Sequence, residues 1–193
     1  MDDDLYRDIT DYAHSTPGWV HTLAEVGTQA GLLLLMAVAV VVWWLARRRG
    51  AREVALTLLV PVGTAVAYVI SEIVKALVDE VRPCRAVAHA VTSIAACPAP
   101  TDYSFPSNHA TLAAALATGI VLARPVAAWL VVPMALLVAF SRVFLGVHYP
   151  HDVAVGLLLG AIVALLAARL LVRPGTRLVE RWSGGRWSVL VKA

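Results

Sequence analysis

Three short stretches of the sequence carry residues whose types and spacing suit chemistry on a multiply charged anion. The first is K-A-L-V-D-E-V-R-P, from Lys75 to Pro83. Lys75 and Arg82 are about two helical turns apart, so they are expected to share a helix face, with Lys75 about 10 Å deeper and Pro83 ending the helix. Arginine offers an anion a planar fork and lysine a point charge. The second stretch is S-F-P-S-N-H, from Ser104 to His109. Pro106 fits the first helical position, which makes the N–H groups of Ser107, Asn108 and His109 the expected unpaired donors of a helix start, a ready anion site. The third is S-R-V-F-L-G-V-H-Y-P-H-D, from Ser141 to Asp152. Here Arg142 adds a third cation and Gly146 permits a turn. Asp152, four residues after His148, can hydrogen-bond one ring nitrogen and leave the other as a nucleophile.

Each stretch alone has a plainer explanation: a snorkelling cation, a capped helix start, an interfacial histidine. Taken together they form a set for phosphoryl transfer. Cations and backbone donors would hold the phosphate oxygens, one histidine would attack phosphorus and the other would protonate the leaving oxygen. No metal or other cofactor is expected, because cationic side chains do that electrostatic work and the clustered carboxylates that hold magnesium are missing from these motifs.

The elements that must position these residues are membrane helices. Of 193 residues, 60% are hydrophobic and only 15% charged, with a mean hydropathy of +0.75; this excludes a water-soluble domain and a disordered chain. Apolar windows predict five spans, near 22–45, 54–79, 107–123, 125–145 and 152–172. The fold class is therefore an all-α polytopic membrane bundle, one domain over 1–193. A polar N-terminal segment at 1–18 has room for a short interfacial helix as a sixth element, and a tail follows at 174–193. The first 19 residues hold several acids and no positive region before the first apolar run, so the first span is expected to be retained. The net charge of +3 comes from basic residues at span ends, which argues for topology and against a nucleic-acid partner. The arginines of 46–52, Arg124 and the basic tail are expected on the cytoplasmic side. Residues 1–20, 80–106 and 146–152 then face outward. Lys75 and Arg142 lie within or at the ends of spans, where an ionisable group costs about 2.5–3.5 kcal/mol and so suggests function.

Cys84 and Cys97 fall in the outer loop. Neither has a C-x-x-C partner, which disfavours a metal site. They read either as two unrelated apolar fillers or, if the loop is extracytoplasmic, as a disulfide.

At these residues the sequence resembles the type 2 phosphatidic acid phosphatase superfamily, with its K-x6-R-P, P-S-G-H and S-R-x5-H-x3-D motifs. The matching residues are Lys75, Arg82 and Pro83; Pro106, Ser107 and His109; and Ser141, Arg142, His148 and Asp152. The resemblance implies His148 as the nucleophile that forms a phosphohistidine, Asp152 as its orienting partner and His109 as the general acid. It implies that Lys75, Arg82, Ser107 and Arg142 bind phosphate, with Asn108 among them in place of the usual glycine. If that glycine serves a positive φ, asparagine is the least costly substitute. Family members commonly have six spans, against the five plus a polar segment found here. The implied partner is a lipid phosphate or polyprenyl diphosphate in the cell membrane, worked on at the extracytoplasmic face. Undecaprenyl diphosphate is favoured over phosphatidic acid, phosphatidylglycerol phosphate or diacylglycerol diphosphate. Other classes compatible with the cationic rim are a non-catalytic anionic-lipid-binding protein and a vanadate-dependent haloperoxidase, the latter disfavoured by the apolar spans.

Overall fold

The computed structural model describes residues 2–182, and among them all regular structure is helical. The chain runs α1 (Asp2–Ser15), α2 (Gly18–Ala46), α3 (Ala51–Val78), a single turn α4 (Pro83–Ala86), α5 (Asn108–Ala123), α6 (Ala128–Phe144) and α7 (Pro150–Trp182). Helices α2, α3, α6 and α7 are long and apolar enough to cross a membrane. Their outward faces carry large apolar side chains such as Leu33, Val69, Leu137 and Leu170, as lipid requires of a span with no water to satisfy it.

The third expected span behaves differently from the other four. Helix α5 has only 16 residues, about 24 Å at 1.5 Å per residue, and it forms the centre of the bundle. Its buried residues include Ala110, Ala113, Ala114, Ala115 and Ala117, small side chains that let α2, α3, α6 and α7 close around it. The expected span at 125–145 consists of a 3-10 turn at Pro125–Ala127 followed by α6, which ends at Phe144. The last span begins at Pro150 and continues past the expected 172 to Trp182, with Pro174 inside it. Packing holds that extension: Val179 is buried in a cluster with Ala46, Val54 and Ala55. The expected tail from 174 is thus helical over its first part, and its remainder, 183–193, lies outside the described residues.

The polar N-terminal segment is a docked helix. Tyr6, Thr10 and Ala13 are buried at i, i+4 and i+7, the spacing of one helix face. That face packs on α6 and α7. Between α5 and α7 the backbones nearly touch. A Cβ added at Gly156 would lie 2.7 Å from the Ser107 carbonyl oxygen, and one at Gly160 would collide with that of Thr111. Glycine is needed at both positions for this approach, which fixes the start of α5 against the start of α7.

Candidate active site

Lys75 is buried in the last turn of α3. That helix stops at Val78, where Asp79 takes a left-handed cap with φ 53°, and Arg82 lies beyond it in extended backbone ahead of α4. The expectation that Lys75 and Arg82 share one helix, ended by Pro83, is therefore corrected. Aspartate tolerates the left-handed region and closes the helix four residues early, and Pro83 opens the next turn. The two cations still converge, on Asp102. Its Oδ1 lies 3.0 Å from Lys75 Nζ and 3.0 Å from Arg82 Nη2, and its carbonyl oxygen accepts from Arg82 Nε at 2.7 Å. Burial pushes the Asp102 carboxyl up, but the Lys75 hydrogen bond and the charges of Arg82 and Lys75 outweigh it and hold the group below the usual carboxylate range.

Pro106 is not the first residue of α5. The Phe105–Pro106 peptide is cis, Ser107 is the N-cap and Asn108 opens the helix. The Ser107 N–H donates to the Asp152 carbonyl oxygen at 3.1 Å, so it is not one of the unpaired donors. Those of the first helical turn, Asn108, His109 and Ala110, have no intrahelical acceptor. Asn108 has a negative φ, since the described non-glycine residues with positive φ are Asp79 and His89. Its place in the motif demands no left-handed backbone. Its side chain instead accepts from Ser71 Oγ at 2.7 Å and donates through Nδ2 to Glu72 Oε1 at 2.6 Å.

His148 follows the turn at Gly146, whose φ is 78° and whose carbonyl oxygen accepts from the buried Tyr6 hydroxyl at 2.9 Å. The imidazole is 2% exposed. Arg82 Nη1 lies 3.0 Å from His148 Nε2, and since a guanidinium can only donate, Nε2 carries the lone pair. Nδ1 then bears the proton and donates it to Asp152 Oδ2 at 3.2 Å. The same carboxylate oxygen accepts from the Tyr149 N–H at 2.8 Å and from Ser104 Oγ. Burial pulls the His148 pKa down to about 4, Arg82 and Arg142 add to the pull, and Asp152 opposes it. The arrangement can hold a neutral imidazole with Nε2 as a nucleophile near neutral pH.

Among the buried side-chain atoms here with no protein hydrogen-bond partner are Ser107 Oγ, His109 Nε2 and Arg142 Nε. Native proteins seldom leave such atoms unmatched, and all three belong to residues singled out in the sequence. Arg142 sits in the last turn of α6. Glu80, His151 and Asp152 bring ligand atoms within 4.8 Å of one another; His151 Nε2 is 3.1 Å from Glu80 Oε1 and 3.2 Å from Asp152 Oδ1, distances that an ion pair explains. Cys84 and Cys97 are joined by a disulfide with Cα atoms 6.1 Å apart, closing the loop that carries Asp102 back toward Arg82.

The sequence reading passed over Asp102, Ser104, Tyr6, Ser71 and Glu72. Only Tyr6 left a periodic signal, on the buried stripe of α1. The other four act through contacts across 20 or more residues, which spacing does not reveal.

Residues 55–175 match the model of the PAP2 superfamily. The chain belongs to the PAP2 superfamily. Among its relatives, a decaprenylphosphoryl-5-phosphoribose phosphatase of Mycobacterium tuberculosis is 44% identical over 70% of this chain and 67% of its own. The undecaprenyl-diphosphatase BcrC of Bacillus subtilis is 31% identical over 82% of this chain and 78% of its own. An undecaprenyl-diphosphatase of Sulfolobus acidocaldarius is 34% identical over 62% of this chain, and the match spans 56% of that relative's length. The fold is shared with a PAP2 type phosphatidylglycerolphosphate phosphatase of Bacillus subtilis, at a TM-score of 0.61, 23% identity and coverage of 86% of this chain and 84% of that one. It is shared also with Aquifex aeolicus LpxE, at a TM-score of 0.62, 19% identity and coverage of 86% and 93%. This PAP2 member is thus a multi-pass membrane phosphatase with an all-helical fold.

Proposed function

We propose that this PAP2 phosphatase removes the terminal phosphate of a polyprenyl-linked substrate at the extracytoplasmic face, through a phosphohistidine and without a metal. His148 Nε2 forms the N–P bond as the P–O bond to the leaving group breaks, and His109 gives its proton to the leaving oxygen. Water then attacks the phosphohistidine, releasing inorganic phosphate and restoring the imidazole. Asp152 holds the tautomer. Lys75, Arg82, Arg142, Ser107 and the first N–H groups of α5, that of Asn108 included, carry the phosphate oxygens and their transition-state charge.

The observation that carries this reading is the trio of unmatched buried atoms, Ser107 Oγ, His109 Nε2 and Arg142 Nε, beside a histidine whose Nε2 lone pair is held toward Arg82. A tetrahedral oxyanion would satisfy all three. The outward orientation is supported by Arg47, Arg48, Arg49 and Arg52 at the opposite ends of α2 and α3, which belong in the cytoplasm, and by the disulfide in the site loop, which suits an oxidising compartment. Undecaprenyl diphosphate, favoured by the sequence, and a polyprenylphosphoryl sugar phosphate, acted on by the Mycobacterium relative, both end in the phosphate this site would accept.

The test is phosphate release by the detergent-purified protein in EDTA, with the wild type beside His148→Ala. Turnover should survive chelation and fall by at least about a thousandfold in the variant. An acid-labile, alkali-stable phosphoryl label should be trapped on the wild type alone. A folded His148→Ala protein that still turns over substrate would sink the mechanism, and retained lipid binding with no turnover in the wild type would favour a non-catalytic lipid-binding role.

A further inference from the structure

One turn below the cationic cradle, three polar side chains meet inside otherwise apolar helices. Ser71 and Glu72 lie on α3, four and three residues before Lys75, and Asn108 is the first residue of α5, next to the proposed acid His109. Ser71 is fully buried. The Asn108 amide joins the two, accepting from Ser71 Oγ at 2.7 Å and donating to Glu72 Oε1 at 2.6 Å. The Glu72 side chain remains 44% exposed.

A carboxylate within a span is costly unless something uses it. Neutralising Lys75 does not account for Glu72, because Asp102 already sits 3.0 Å from Lys75 Nζ while Glu72 is 3.9 Å away. Below this trio, on the same helix faces, an apolar groove of ≈ 770 Å³ begins one turn down, a size within the range of ligand sites. Its walls include Tyr68 and Thr64 of α3, Leu112 and Leu116 of α5, and Val40 of α2. Tyr68 is four residues before Glu72, and Leu112 is four after Asn108, so both pairs share a helix face. From the outer face inward, the order is a phosphate cradle, a hydroxyl–amide–carboxylate cluster and an apolar groove.

From this order we infer that Ser71, Glu72 and Asn108 form a leaving-group subsite that takes a hydroxylated alcohol, a sugar or glycerol unit lying between the scissile phosphate and the lipid tail. The inference rests on the phosphatase reading above. A carboxylate and an amide oxygen accept hydrogen bonds from hydroxyl groups. The same carboxylate repels a phosphate joined directly to the scissile one, as in a diphosphate, more than a phosphodiester set further off by a sugar or glycerol unit, so the subsite discriminates by charge as well as by hydrogen bonding.

Three substrates separate the possibilities: a polyprenyl diphosphate, a polyprenylphosphoryl pentose bearing a terminal phosphate, and phosphatidylglycerol phosphate. The wild type should show a kcat/KM at least about tenfold higher for one or both hydroxylated substrates than for the diphosphate. The ratio between pentose and glycerol substrates identifies the source of the hydroxyls. In Glu72→Gln, which keeps the shape and removes the charge, the preference over diphosphate should fall toward parity, and in Asn108→Gly likewise. Ser71→Ala replaces the second variant should Asn108→Gly fail to fold. A wild type that favours the diphosphate, or a preference unchanged in the variants, overturns the subsite while leaving the phosphatase intact. Phosphate release from none of the three overturns both.

Discussion

Asp102 Oδ1 sits 3.0 Å from Lys75 Nζ, so a carboxylate of the chain itself occupies a position where a phosphate oxygen would be expected. Arg82 shares the same oxygen. In the proposed mechanism, substrate would compete with this internal anion. Asp102 is 47% exposed, so water screens the contact, and its loss is worth about 1 kcal/mol. Asp102→Asn should bind inorganic phosphate about fivefold more tightly, read as a lower inhibition constant in the phosphatase assay. Weaker phosphate binding would mean that Asp102 orders the cations and does not compete for them.

His148 should stay neutral far into acid. Burial lowers its pKa to about 4, below the ordinary value near 6.5. A group whose folded pKa is depressed in this way binds fewer protons than the unfolded chain between those values, so its contribution makes stability fall as pH drops from about 6.5 toward 4. The imidazole 15N resonances of phosphate-free protein should titrate with a midpoint near 4. A midpoint above 6 would show that the ring is solvated or that its partners are arranged otherwise.

Ser104 is expected to position Asp152. Its hydroxyl donates to Asp152 Oδ2, and its N–H donates to the Glu80 carbonyl oxygen at 2.7 Å. Hydrogen bonds to charged groups are worth about 1.5–3 kcal/mol. Ser104→Ala should lower kcat by about tenfold to a hundredfold with KM little changed, and Ser104→Thr should recover part of it. Equal losses in KM and kcat, or no rescue, would point to a general packing defect.

Tyr6 ties α1 to the turn before His148. Burial raises its phenol to about 12, so the hydroxyl remains a donor to Gly146 throughout the working pH range. Tyr6→Phe leaves the Gly146 carbonyl oxygen without its donor and should cost about 1 kcal/mol, seen as a lower Tm with the helical signal preserved. An unchanged Tm would remove Tyr6 from the supports of the site.

Gly160→Ala tests the contact between α5 and α7. The added methyl group meets the Thr111 carbonyl oxygen, and backbone cannot yield as a side chain can. Overpacking of this kind costs about 1–3 kcal/mol. The variant should lose thermal stability and activity together, whereas Gly27→Ala, where a Cβ meets nothing within 4 Å, should change neither.

The contact between His148 and Asp152 was legible because it is local: they are four residues apart, and they hydrogen-bond as that spacing implies. The helical class and the apolar spans were legible from composition. The route from Lys75 to Arg82 was not. Pro83 is the loud signal, but the helix ends at Asp79, whose left-handed cap is ordinary for aspartate and silent in a run of charged residues. The start of α5 was misplaced for a similar reason, since Pro106 suits a first helical position in sequence while Ser107 is the N-cap and Asn108 opens the helix. Asp102 and Ser104 became visible only when their loop was folded onto Arg82 and Asp152. On α1 the periodic signal was weak, since the buried stripe of Tyr6, Thr10 and Ala13 has one large apolar side chain in a mostly polar helix.

The glycines of α7 have a mechanical consequence. His109 rides on the first turn of α5, and Asp152 on the first turn of α7. With Gly156 and Gly160 admitting the α5 backbone so closely, these two helices form a single stiff strut. A bilayer that tilted α2 or α6 at the periphery would leave the separation of His109 and Asp152 to this one helix pair. The geometry of the proposed site would then answer to the α5–α7 contact and not to the elasticity of the surrounding membrane.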